Sequence, residues 1–447
     1  MELSTISYTR WCRPEDEVEP IYIPGRIRIC DGVLDPLEIN AVAFEEDGKK
    51  AVLLSIDNVG IKQTVCDEIR DKIAAATGCA REGIYLACTH THLGPGVGTI
   101  MGLGGSVTPQ DDEYGPWFIQ RAVDTAVMAM DDLAPVTSAR YTHANVPDVS
   151  FVRRYQMKDG SIRTNPGWQN PEIDHALGTP DELATLLIFN REDKPEIAIT
   201  HFQTHPDVIG GNKVSADWCG FVRRTYERMI PNSRCIFFTG AQGDTNHVDV
   251  RLTKEEGRGY PRAKYMGEKI AMSLIANIPL AKPMKNTHLA YRQKNIVAYA
   301  NKGKPEELEE AIRIDKIYKE THDKDQAVAA ANLDVKSMHA TTVVAKACRI
   351  VELMDAPDSR ELYLTAIAIG DAVFAGIPGE PFTDIGRAIK DQSSYAVTLP
   401  TCNTNGKEGY YPTDFTEGSY EAATSRFKAD TAKRIIDGFN ELIESFK

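Results

Sequence analysis

Short apolar runs alternate with helical stripes early in the chain, as in parallel β–α–β units. The run Lys50–Asp57 (KAVLLSID) predicts a buried strand. Apolar residues then recur at four-residue spacing from Ile61 to Ile73, which predicts a helix that ends at Gly78. Gly83–His90 (GIYLACTH) predicts the next strand. Together these elements predict two parallel strands joined by a helical crossover.

A second unit of the same kind follows further along the chain. Glu196–His205 predicts a strand, Trp218–Met229 a helix and Cys235–Thr239 a returning strand. Later, Glu361–Gly370 and Ala372–Ile377 are apolar runs that meet at a Gly-Asp pair, which predicts a hairpin. A helix from about residue 382 and a strand near residues 395–402 complete this part.

The segment Pro305–Leu353 differs from the rest because it is rich in Ala, Glu, Lys and Asp at helical spacing. We therefore expect a helical subregion, about residues 304–355, on the outside of the sheets. No linker separates it from its surroundings, so residues 1–447 are predicted to form one large domain. The predicted fold class is α/β, with mixed β-sheets packed together and flanked by helices.

Composition and charge narrow the class of protein. The chain has 447 residues, of which 42% are hydrophobic and 26% charged, as in soluble globular proteins. The net charge of −13 argues against binding to nucleic acid. The longest apolar runs are strand-length, so no integral membrane contact is predicted. These observations do not identify a substrate, and whether the chain forms a homo-oligomer stays open.

The cysteines and the first residues predict a cytoplasmic protein. Nine cysteines without a CxxC pair indicate neither a disulfide framework nor a zinc ribbon. Residues 1–20 are polar and charged, and they do not contain the apolar stretch of a signal peptide.

Residues that carry chemistry gather where the predicted strands end, the usual position of ligands in open α/β sheets. The segment Thr89–His92 (THTH) ends the first unit, and His205 ends a strand of the second. Glu380 follows the predicted hairpin, and Tyr410 follows the last predicted strand. In an extended segment the two imidazoles of His-x-His point to one face, where one could bind a metal and the other handle a proton.

Each of these features also has a plainer structural interpretation. The histidines of the THTH segment fit a polar strand end, and His205 fits a structural histidine. Glu380 could be a carboxylate that the dipole of a following helix stabilises. The combination of four such strand ends is what favours a site.

Several sequence blocks resemble one protein family. In order, ACTHTHLGPGVG, QTHPD, TGAQGDTN, GIPGEPFT and the Gly409-Tyr410 segment are similar to the neutral/alkaline (non-lysosomal) ceramidase family, over roughly Pro24 to Glu421. The resemblance is to the catalytic N-terminal domain, without the C-terminal immunoglobulin-like domain of the long ceramidases. It predicts a short cytosolic relative, and it is specific to the superfamily rather than to ceramide as substrate.

The resemblance implies one zinc ion per chain. Matched residue by residue, its ligands would be His90, His205, Glu380 and Tyr410, with Tyr411 adjacent to the last. Two imidazoles, a carboxylate and a phenol suit zinc better than magnesium or calcium, while iron and manganese stay open. Zinc in such a shell lowers the pKa of water, which can then attack an amide or ester carbonyl.

Three further residues follow from the resemblance. His92 matches the position that contacts the reacting carbonyl or leaving group, and its imidazole could pass a proton to the departing amine. Arg153 matches an arginine that reaches toward the substrate's oxygen; Arg154 could take that role, and a solvated salt bridge is the alternative. Asn246 stands where ceramidases have a serine, and its amide can donate a hydrogen bond to substrate but cannot act as a nucleophile.

The predicted function is therefore a zinc-dependent hydrolase of an amide bond in a small N-acylated substrate. One alternative is the same metal site acting on a lactone, an ester or a sugar-derived substrate; another is a metal-binding scaffold without turnover. The sequence contains no GxSxG, GxxxxGK[ST] or HExxH motif, which argues against an α/β-hydrolase elbow, a P-loop and a zincin.

Two segments near these residues are expected to shape the site. Gly94–Gly105, followed by the acidic residues 111–113, could form a lid that excludes water. Gln156–Trp168 is predicted to form a polar hairpin that lines the substrate pocket. An ordinary surface loop and a surface turn are the respective alternatives.

Overall fold

The structure, a computed structural model, describes residues 2–6, 20–23, 26–97, 114–333 and 335–446. Within these residues the strands are β1 (Glu2–Ile6), β2 (Pro20–Ile23), β3 (Arg26–Ile29), β4 (Ile39–Glu46), β5 (Lys49–Ile56), β6 (Ile84–Cys88), β7 (Ala134–Asn145), β8 (Phe151–Val152), β9 (Arg154–Met157), β10 (Ile162–Thr164), β11 (Ile173–Ala176), β12 (Leu183–Arg191), β13 (Lys194–Phe202), β14 (Ser233–Thr239), β15 (Thr245–Asn246), β16 (Lys282–Pro283), β17 (Leu289–Tyr299), β18 (Ser359–Ile369), β19 (Ala372–Gly376), β20 (Glu380–Pro381), β21 (Val397–Thr401) and β22 (Tyr410–Tyr411). The α-helices are α1 (Gln63–Thr77), α2 (Tyr114–Asp131), α3 (Asp217–Met229), α4 (Lys254–Gly257), α5 (Tyr260–Ala276), α6 (Leu308–Thr321), α7 (Lys324–Ala330), α8 (Ser337–Leu353), α9 (Thr383–Gln392), α10 (Tyr420–Thr424) and α11 (Asp430–Glu444). Short 3₁₀ turns lie at Arg81–Gly83, Ile278–Leu280 and Pro305–Glu307.

Both predicted β–α–β units belong to one large mixed sheet. Its strands lie in the order β14-β13-β12-β7-β1-β4-β5-β6, and β16 also pairs with β7. The strands β5 and β6 are parallel and joined through α1, and β13 and β14 are parallel and joined through α3. All other neighbouring strands in this order pair antiparallel, and so do β16 and β7. Helix α1 ends as predicted at Gly78, whose φ of 68° is a left-handed conformation that suits glycine.

The predicted hairpin lies at the centre of a second sheet, in the order β17-β18-β19-β21. The strands β18 and β19 are antiparallel on either side of Gly370, and β19 and β21 are parallel. Side chains from both sheets form one buried core that contains Tyr85, Phe189, Phe238 and Phe374. Burying a phenylalanine ring of this kind stabilises the fold by roughly 2–3 kcal/mol, so the two sheets hold each other in place.

Helices cover the outer faces of both sheets. Helices α3 and α5 pack on one part of the large sheet, and α1 and α2 pack on another. On the second sheet α11 packs through Ile435, Phe439 and Leu442, which recur at helical spacing. These layers confirm the predicted α/β fold class, with mixed sheets packed together and flanked by helices. No helix within the described residues combines the length and apolar character needed to cross a membrane.

The segment expected to be helical contains α6, α7 and α8. These helices share a hydrophobic core of their own, which includes Ile314, Tyr318, Val344 and Cys348. That residues 1–447 form one domain stays a prediction.

The strands that lead to the predicted site end earlier than the sequence pattern indicated. The strand β6 ends at Cys88 and β13 ends at Phe202. His90 and His205 therefore lie in the loops that follow these strands, beyond the edge of the large sheet. Loop residues can turn toward one another in ways that a pleated strand does not allow.

Candidate metal centre

The loop after β6 brings two imidazoles together by a turn. The expectation that His90 and His92 share a face of an extended segment is wrong, because His90 has a φ of 72°, in the left-handed region. The backbone N–H of His90 donates to the carbonyl of Asn58 at 2.9 Å and so holds this strained conformation. The Nε2 atoms of His90 and His92 lie 3.4 Å apart. The pair therefore converges for a different reason than the sequence suggested.

His205 is fully buried in the loop after β13. Its backbone N–H donates to the carbonyl of Thr245 at 3.2 Å. Its Nδ1 lies 2.9 Å from the carbonyl oxygen of Gln242 and 3.0 Å from that of Thr245. The short strand β15 and the turn before it thus fix both the backbone and the ring of His205.

Glu380 and Tyr410 come from two-residue strands. The strands β20 and β22 pair in parallel, with Glu380 opposite Tyr410 in the register. This close pairing requires a glycine before Glu380, because a Cβ added at Gly379 would lie 2.5 Å from the carbonyl oxygen of Gly409. Steric hindrance therefore explains why glycine precedes the glutamate in the Pro-Gly-Glu sequence.

The four predicted metal ligands lie within mutual reach. Glu380 Oε2 is 3.2 Å from the Nε2 atoms of both His90 and His205. The Tyr410 hydroxyl oxygen is 3.3 Å from His205 Nε2. His90, His92 and His205 together could hold a metal ion, since their ligand atoms lie within 4.8 Å of one another. The ligand roles themselves stay predictions.

Hydrogen bonds on the far side of each ring decide which nitrogen faces this cluster. His90 Nδ1 lies 2.5 Å from the carbonyl oxygen of Val59, and a carbonyl oxygen can only accept. Nδ1 therefore carries the proton, and the same holds for Nδ1 of His205 against its two carbonyls. Both Nε2 atoms then direct lone pairs toward Glu380 Oε2, a buried oxygen without a hydrogen-bond partner among the described residues. Electron pairs that converge in this way fit a cation bound between them.

The amide of Asn403 supports this assignment of the His90 proton. Its side chain lies 3.0 Å from His90 Nδ1, and its oxygen is buried without a hydrogen-bond partner in the described residues. Turning the amide places that oxygen against Nδ1, where it can accept the same proton.

Burial and mutual contacts shift the pKa values of the cluster. Burial lowers the pKa of His92 well below its ordinary value, and His90 beside it lowers it further. Burial also lowers the pKa of His205, and the charge of Arg153 adds to this. Burial alone would raise the pKa of Glu380, but the imidazoles of His90 and His205 bring it well below its usual range. A neutral ring at His205 and an ionised carboxylate at Glu380 are the protonation states that metal binding needs at these two positions.

Of the two adjacent arginines, Arg153 faces the cluster. Its guanidinium carbon lies 5.3 Å from the centre of the Tyr410 ring, and its Nε is 2.6 Å from the Glu421 carboxylate. Burial alone would lower the pKa of Arg153, but Tyr410 and Glu421 raise it above its usual value, so the side chain stays charged. Arg154 instead pairs with the carboxylate of Asp414.

Of the two adjacent tyrosines, Tyr410 faces the cluster. Successive strand residues point in opposite directions, and the Tyr411 hydroxyl donates to the carbonyl of Pro378 at 3.0 Å. Burial raises the pKa of Tyr410 well above its usual value, and the charge of Glu380 adds to this. The phenol therefore keeps its proton unless a cation beside it lowers its pKa.

Sequence reasoning missed three residues near the site, of which His247 is buried and Tyr420 and Asp207 are partly buried. The ring of Tyr420 lies 6.0 Å from that of Tyr410, between centroids. His247 Nδ1 and Asp207 Oδ1 are 2.9 Å apart, and this contact brings the pKa of Asp207 below its usual value although burial alone would raise it. For two of them, proximity in the sequence to predicted site residues was the available indication. Asp207 follows His205-Pro206, and His247 follows the predicted Asn246.

Asn246 is buried and both of its polar atoms have protein partners. Its Nδ2 donates to Asn165 Oδ1 at 3.0 Å, and its Oδ1 accepts from the backbone N–H of Val248 at 3.0 Å. Asn165 directly follows β10, which pairs with β9 as the predicted polar hairpin. Contact of Asn246 with substrate stays a prediction. The predicted lid falls largely on residues 98–113, which lie outside the described residues.

Two solved structures share this fold. One is the neutral ceramidase from Pseudomonas aeruginosa, with a TM-score of 0.73 and 17% sequence identity, covering 99% of this chain and 74% of that chain. The other is a ceramidase complexed with C2, with a TM-score of 0.72 and 15% identity, covering 99% of this chain and 75% of that chain. No protein-family model and no curated protein matches the sequence. At these identities the likeness establishes the fold, and the fold expected from the sequence blocks is confirmed.

Proposed function

We propose that this chain is a zinc-dependent hydrolase that cleaves an amide bond in a small N-acylated substrate. The observation that carries the proposal is the convergence of His90, His205, Glu380 and Tyr410 on one point, with buried lone pairs that need a cation. The fold shared with two solved ceramidases supports a ceramidase-like reaction at a C–N bond.

The ligand set suits one zinc ion. His90 and His205 would bind through Nε2, because backbone carbonyls hold the proton on Nδ1 of each ring. Glu380 and Tyr410 would supply oxygen ligands, which gives a mixed nitrogen and oxygen shell typical of zinc. Zinc bound there would polarise a substrate carbonyl and make water a stronger nucleophile at neutral pH.

The chain's own side chains would complete the reaction. His92, with its Nε2 3.4 Å from that of His90, would accept a proton and deliver it to the departing amine. Arg153 is held by Glu421 and by the carbonyl of Gly243, 2.9 Å from its Nη2. Its charge would stabilise the substrate oxygen as that oxygen becomes negative. Asn246 would help to position the substrate through its amide.

We also infer that residues 1–447 act as one catalytic domain in the cytoplasm. The core shared by the two sheets supports a single domain. Every cysteine within the described residues is a free thiol, as is usual in a reducing compartment.

Metal content and turnover together test the proposed function. Purified protein is analysed for bound metals and assayed on a panel of acylated amines, esters and lactones. The expected result is about one zinc per chain with amides as the preferred substrates. Preference for esters or lactones would favour the alternative carbonyl chemistry, and zinc without turnover would favour a scaffold.

Single-residue variants test whether the proposed ligands bind the metal. We expect His205→Ala and Glu380→Ala to lose zinc and activity while the fold persists, as judged by circular dichroism. His143→Ala is the matched control, because His143 is a partly exposed residue of β7 that bonds Thr185 outside the cluster. Stoichiometric zinc in His205→Ala or Glu380→Ala would refute the proposed ligand set.

A further inference from the structure

A carboxylate that the proposed reaction does not use lies beside the metal centre. Asp207 comes two residues after His205. The carbonyl of Pro206, directly before it, accepts a hydrogen bond from the backbone N–H of His92 at 3.3 Å. Burial lowers the pKa of His92, and of the two carboxylates that oppose this lowering, Asp207 acts more strongly than Glu380. Coulombic interactions weaken with distance, so Asp207 is the carboxylate nearer to the proposed proton carrier.

Asp207 lines a recess at the metal centre. Its side chain is 26% exposed, yet burial is the largest single influence on its pKa. A group that is surrounded by protein and still accessible lies in the wall of a concave site. His92, Tyr410 and Tyr420 combine partial exposure with a dominant effect of burial in the same way. We call the space that these four side chains line the substrate recess.

One oxygen of the Asp207 carboxylate is free to bind a ligand. Its Oδ1 lies 2.9 Å from His247 Nδ1, which carries the proton because a carboxylate only accepts. Its Oδ2 has no hydrogen-bond partner within the described residues and stays accessible. Burial alone would raise the pKa of Asp207, but His247 and the nearby imidazoles bring it below its usual value. The substrate recess therefore contains an ionised acceptor.

His247 holds this acceptor in one orientation, and its own ring is fixed by packing. The ring of Trp168 lies 6.3 Å from that of His247, between centroids. The indole packs directly on Gly257, where an added Cβ would lie 2.1 Å from Trp168 Cζ3. Asn246, the preceding residue, is held through both of its polar atoms. An acceptor fixed in advance in this way costs little reorganisation when a donor arrives.

We propose that Asp207 determines specificity by accepting a hydrogen bond from the N–H of the amide to be cleaved, so that the substrate class is a secondary amide, R–CO–NH–R′. This inference rests on the proposed hydrolase function, in which His92 delivers a proton to the departing nitrogen. One nitrogen then receives a proton from His92 and donates its N–H to Asp207. The closeness of these two side chains in the substrate recess is what such a nitrogen requires.

The hydrogen bond to Asp207 strengthens as the amide is cleaved. Nitrogen takes the proton from His92, and when the C–N bond breaks its electron pair stays on nitrogen, which leaves as R′–NH₂. A carboxylate binds a donor more tightly as that donor becomes positive, so the bond favours the transition state over the bound substrate. An ester or lactone leaves through an oxygen that has no hydrogen to donate and whose lone pairs face the carboxylate. Asp207 therefore selects amides over esters.

Turnover of three acetyl compounds tests this selection on the full-length zinc-loaded protein. They differ in the atom at the bond to be cleaved: 4-nitroacetanilide has N–H, its N-methyl derivative has N–CH₃, and 4-nitrophenyl acetate has oxygen. In Asp207→Asn the amide oxygen stays against His247 Nδ1, so an NH₂ group replaces the acceptor in the substrate recess. We expect the ratio of kcat/KM for the N–H amide to kcat/KM for the ester to fall by about ten-fold or more. The ratio to the N-methyl amide should fall as well.

A matched aspartate controls for the loss of one charge. Asp174 Oδ2 lies 2.9 Å from His175 Nδ1, the same kind of contact between two exposed side chains of β11. Asp174→Asn should keep both ratios. Because each ratio comes from a single preparation, partial loss of zinc or of folded protein does not change it. An unchanged ratio of amide to ester in Asp207→Asn, or an equal fall in Asp174→Asn, would overturn the proposal.

Variants of His247 test its role as a positioning residue for Asp207. His247→Ala removes the N–H that holds Oδ1, and we expect part of the preference for the amide over the ester to be lost. His247→Asn supplies an amide N–H near the position of Nδ1, so it should recover that preference. A residue that only supported the fold would change both substrates alike and leave the ratio unchanged.

Binding of a product-like amine separates this inference from the proposed function. Benzylammonium chloride and benzyl alcohol are titrated by calorimetry into the zinc-loaded protein. We expect Asp207→Asn to weaken binding of the ammonium by about ten-fold or more and to leave the alcohol unchanged. If no amide is cleaved, the hydrolase proposal fails, and this titration alone decides whether Asp207 accepts an N–H donor. If amides are cleaved but neither the ratios nor the ammonium affinity depends on Asp207, the hydrolase proposal stands and this inference is refuted.

Discussion

Asp57 and Arg223 form a buried ion pair beneath the loop that carries His90. Arg223 Nη1 and Nη2 lie 3.1 and 2.6 Å from the two carboxylate oxygens of Asp57. Asp57 Oδ1 also accepts from the hydroxyl of Thr89 at 3.0 Å, directly before His90. Arg223 Nε lies 2.7 Å from the carboxylate of Glu38. This network links β5, α3 and the loop after β6, so the position of the first histidine depends on it.

Replacing Arg223 by methionine is expected to destabilise the protein strongly. The change leaves Asp57 buried without its counter-charge, a situation that costs about 3–5 kcal/mol of unfolding free energy. Urea denaturation followed by circular dichroism measures the loss. Arg228→Met is the control on the same helix, because Arg228 is exposed and pairs with Glu268 at 3.3 Å. Its cost should stay below about 1 kcal/mol, and equal losses in the two variants would contradict the argument.

Two adjacent tyrosines offer a matched test of the metal centre. Tyr410→Phe removes the hydroxyl oxygen that lies 3.3 Å from His205 Nε2, and we expect zinc affinity to fall by about ten-fold or more. Tyr411→Phe removes a buried hydroxyl that bonds the carbonyl of Pro378, and we expect unchanged zinc affinity with about 1 kcal/mol less stability. Competition with a chromogenic chelator measures the zinc affinity. Equal zinc affinities in Tyr410→Phe and Tyr411→Phe would exclude the phenol as a ligand.

The elements of the fold were predictable where one local pattern determines them. The apolar run of β5, the helical stripe of α1 and the glycine at its end gave the first β–α–β unit, since burial and helix termination act over a few residues. The antiparallel strands between the units carried no such signal. Strands such as β1 and β7 pair with partners far along the chain, and pairing over that distance leaves no local pattern.

The site was predictable as a set of residues and not as a geometry. The left-handed turn at His90 depends on a hydrogen bond that its backbone N–H donates to the carbonyl of Asn58, just after the neighbouring strand β5. The parallel pairing of Glu380 with Tyr410 involves two residues on each side, which is too short for any periodicity to indicate. The contact of Asp207 with His247 joins residues forty positions apart. Tertiary contacts therefore supply what the sequence pattern left out.

A buried histidine outside the site predicts a dependence of stability on pH. Burial lowers the pKa of His201 to about 3, and the charge of Lys390 adds to this, while the bond to Pro400 and the charge of Asp181 oppose it. In the unfolded chain the pKa is near 6.5, so between pH 6.5 and pH 3 only the unfolded state takes up the proton. The stabilising effect is complete above pH 6.5 and is lost as the pH falls through this window.

The comparison of His201→Gln with the unmodified protein isolates this effect. Gln retains an N–H that can donate to the carbonyl of Pro400, 2.8 Å from His201 Nε2, and it does not titrate. We expect the unmodified protein to lose about 2 kcal/mol more unfolding free energy than the variant between pH 7.5 and pH 5. Denaturant titrations at both pH values measure this difference. Parallel losses would mean that His201 keeps an ordinary pKa in the folded state.

His92 and His90 are close neighbours with different expected roles, and their glutamine variants separate a proton carrier from a ligand. Glu380 Oε2 lies 3.2 Å from His90, whereas the contact of His92 in the cluster is with His90 itself, at 3.4 Å between Nε2 atoms. We expect His90→Gln to lose zinc, because it removes a ligand that Val59 holds in the correct orientation. We expect His92→Gln to keep about one zinc per chain and to lose turnover by about 100- to 10,000-fold, as when a general acid is removed. Zinc content and kcat are measured on the same preparations. Loss of zinc from both variants would instead indicate a centre of three imidazoles, in which His92 binds the metal and another group delivers the proton.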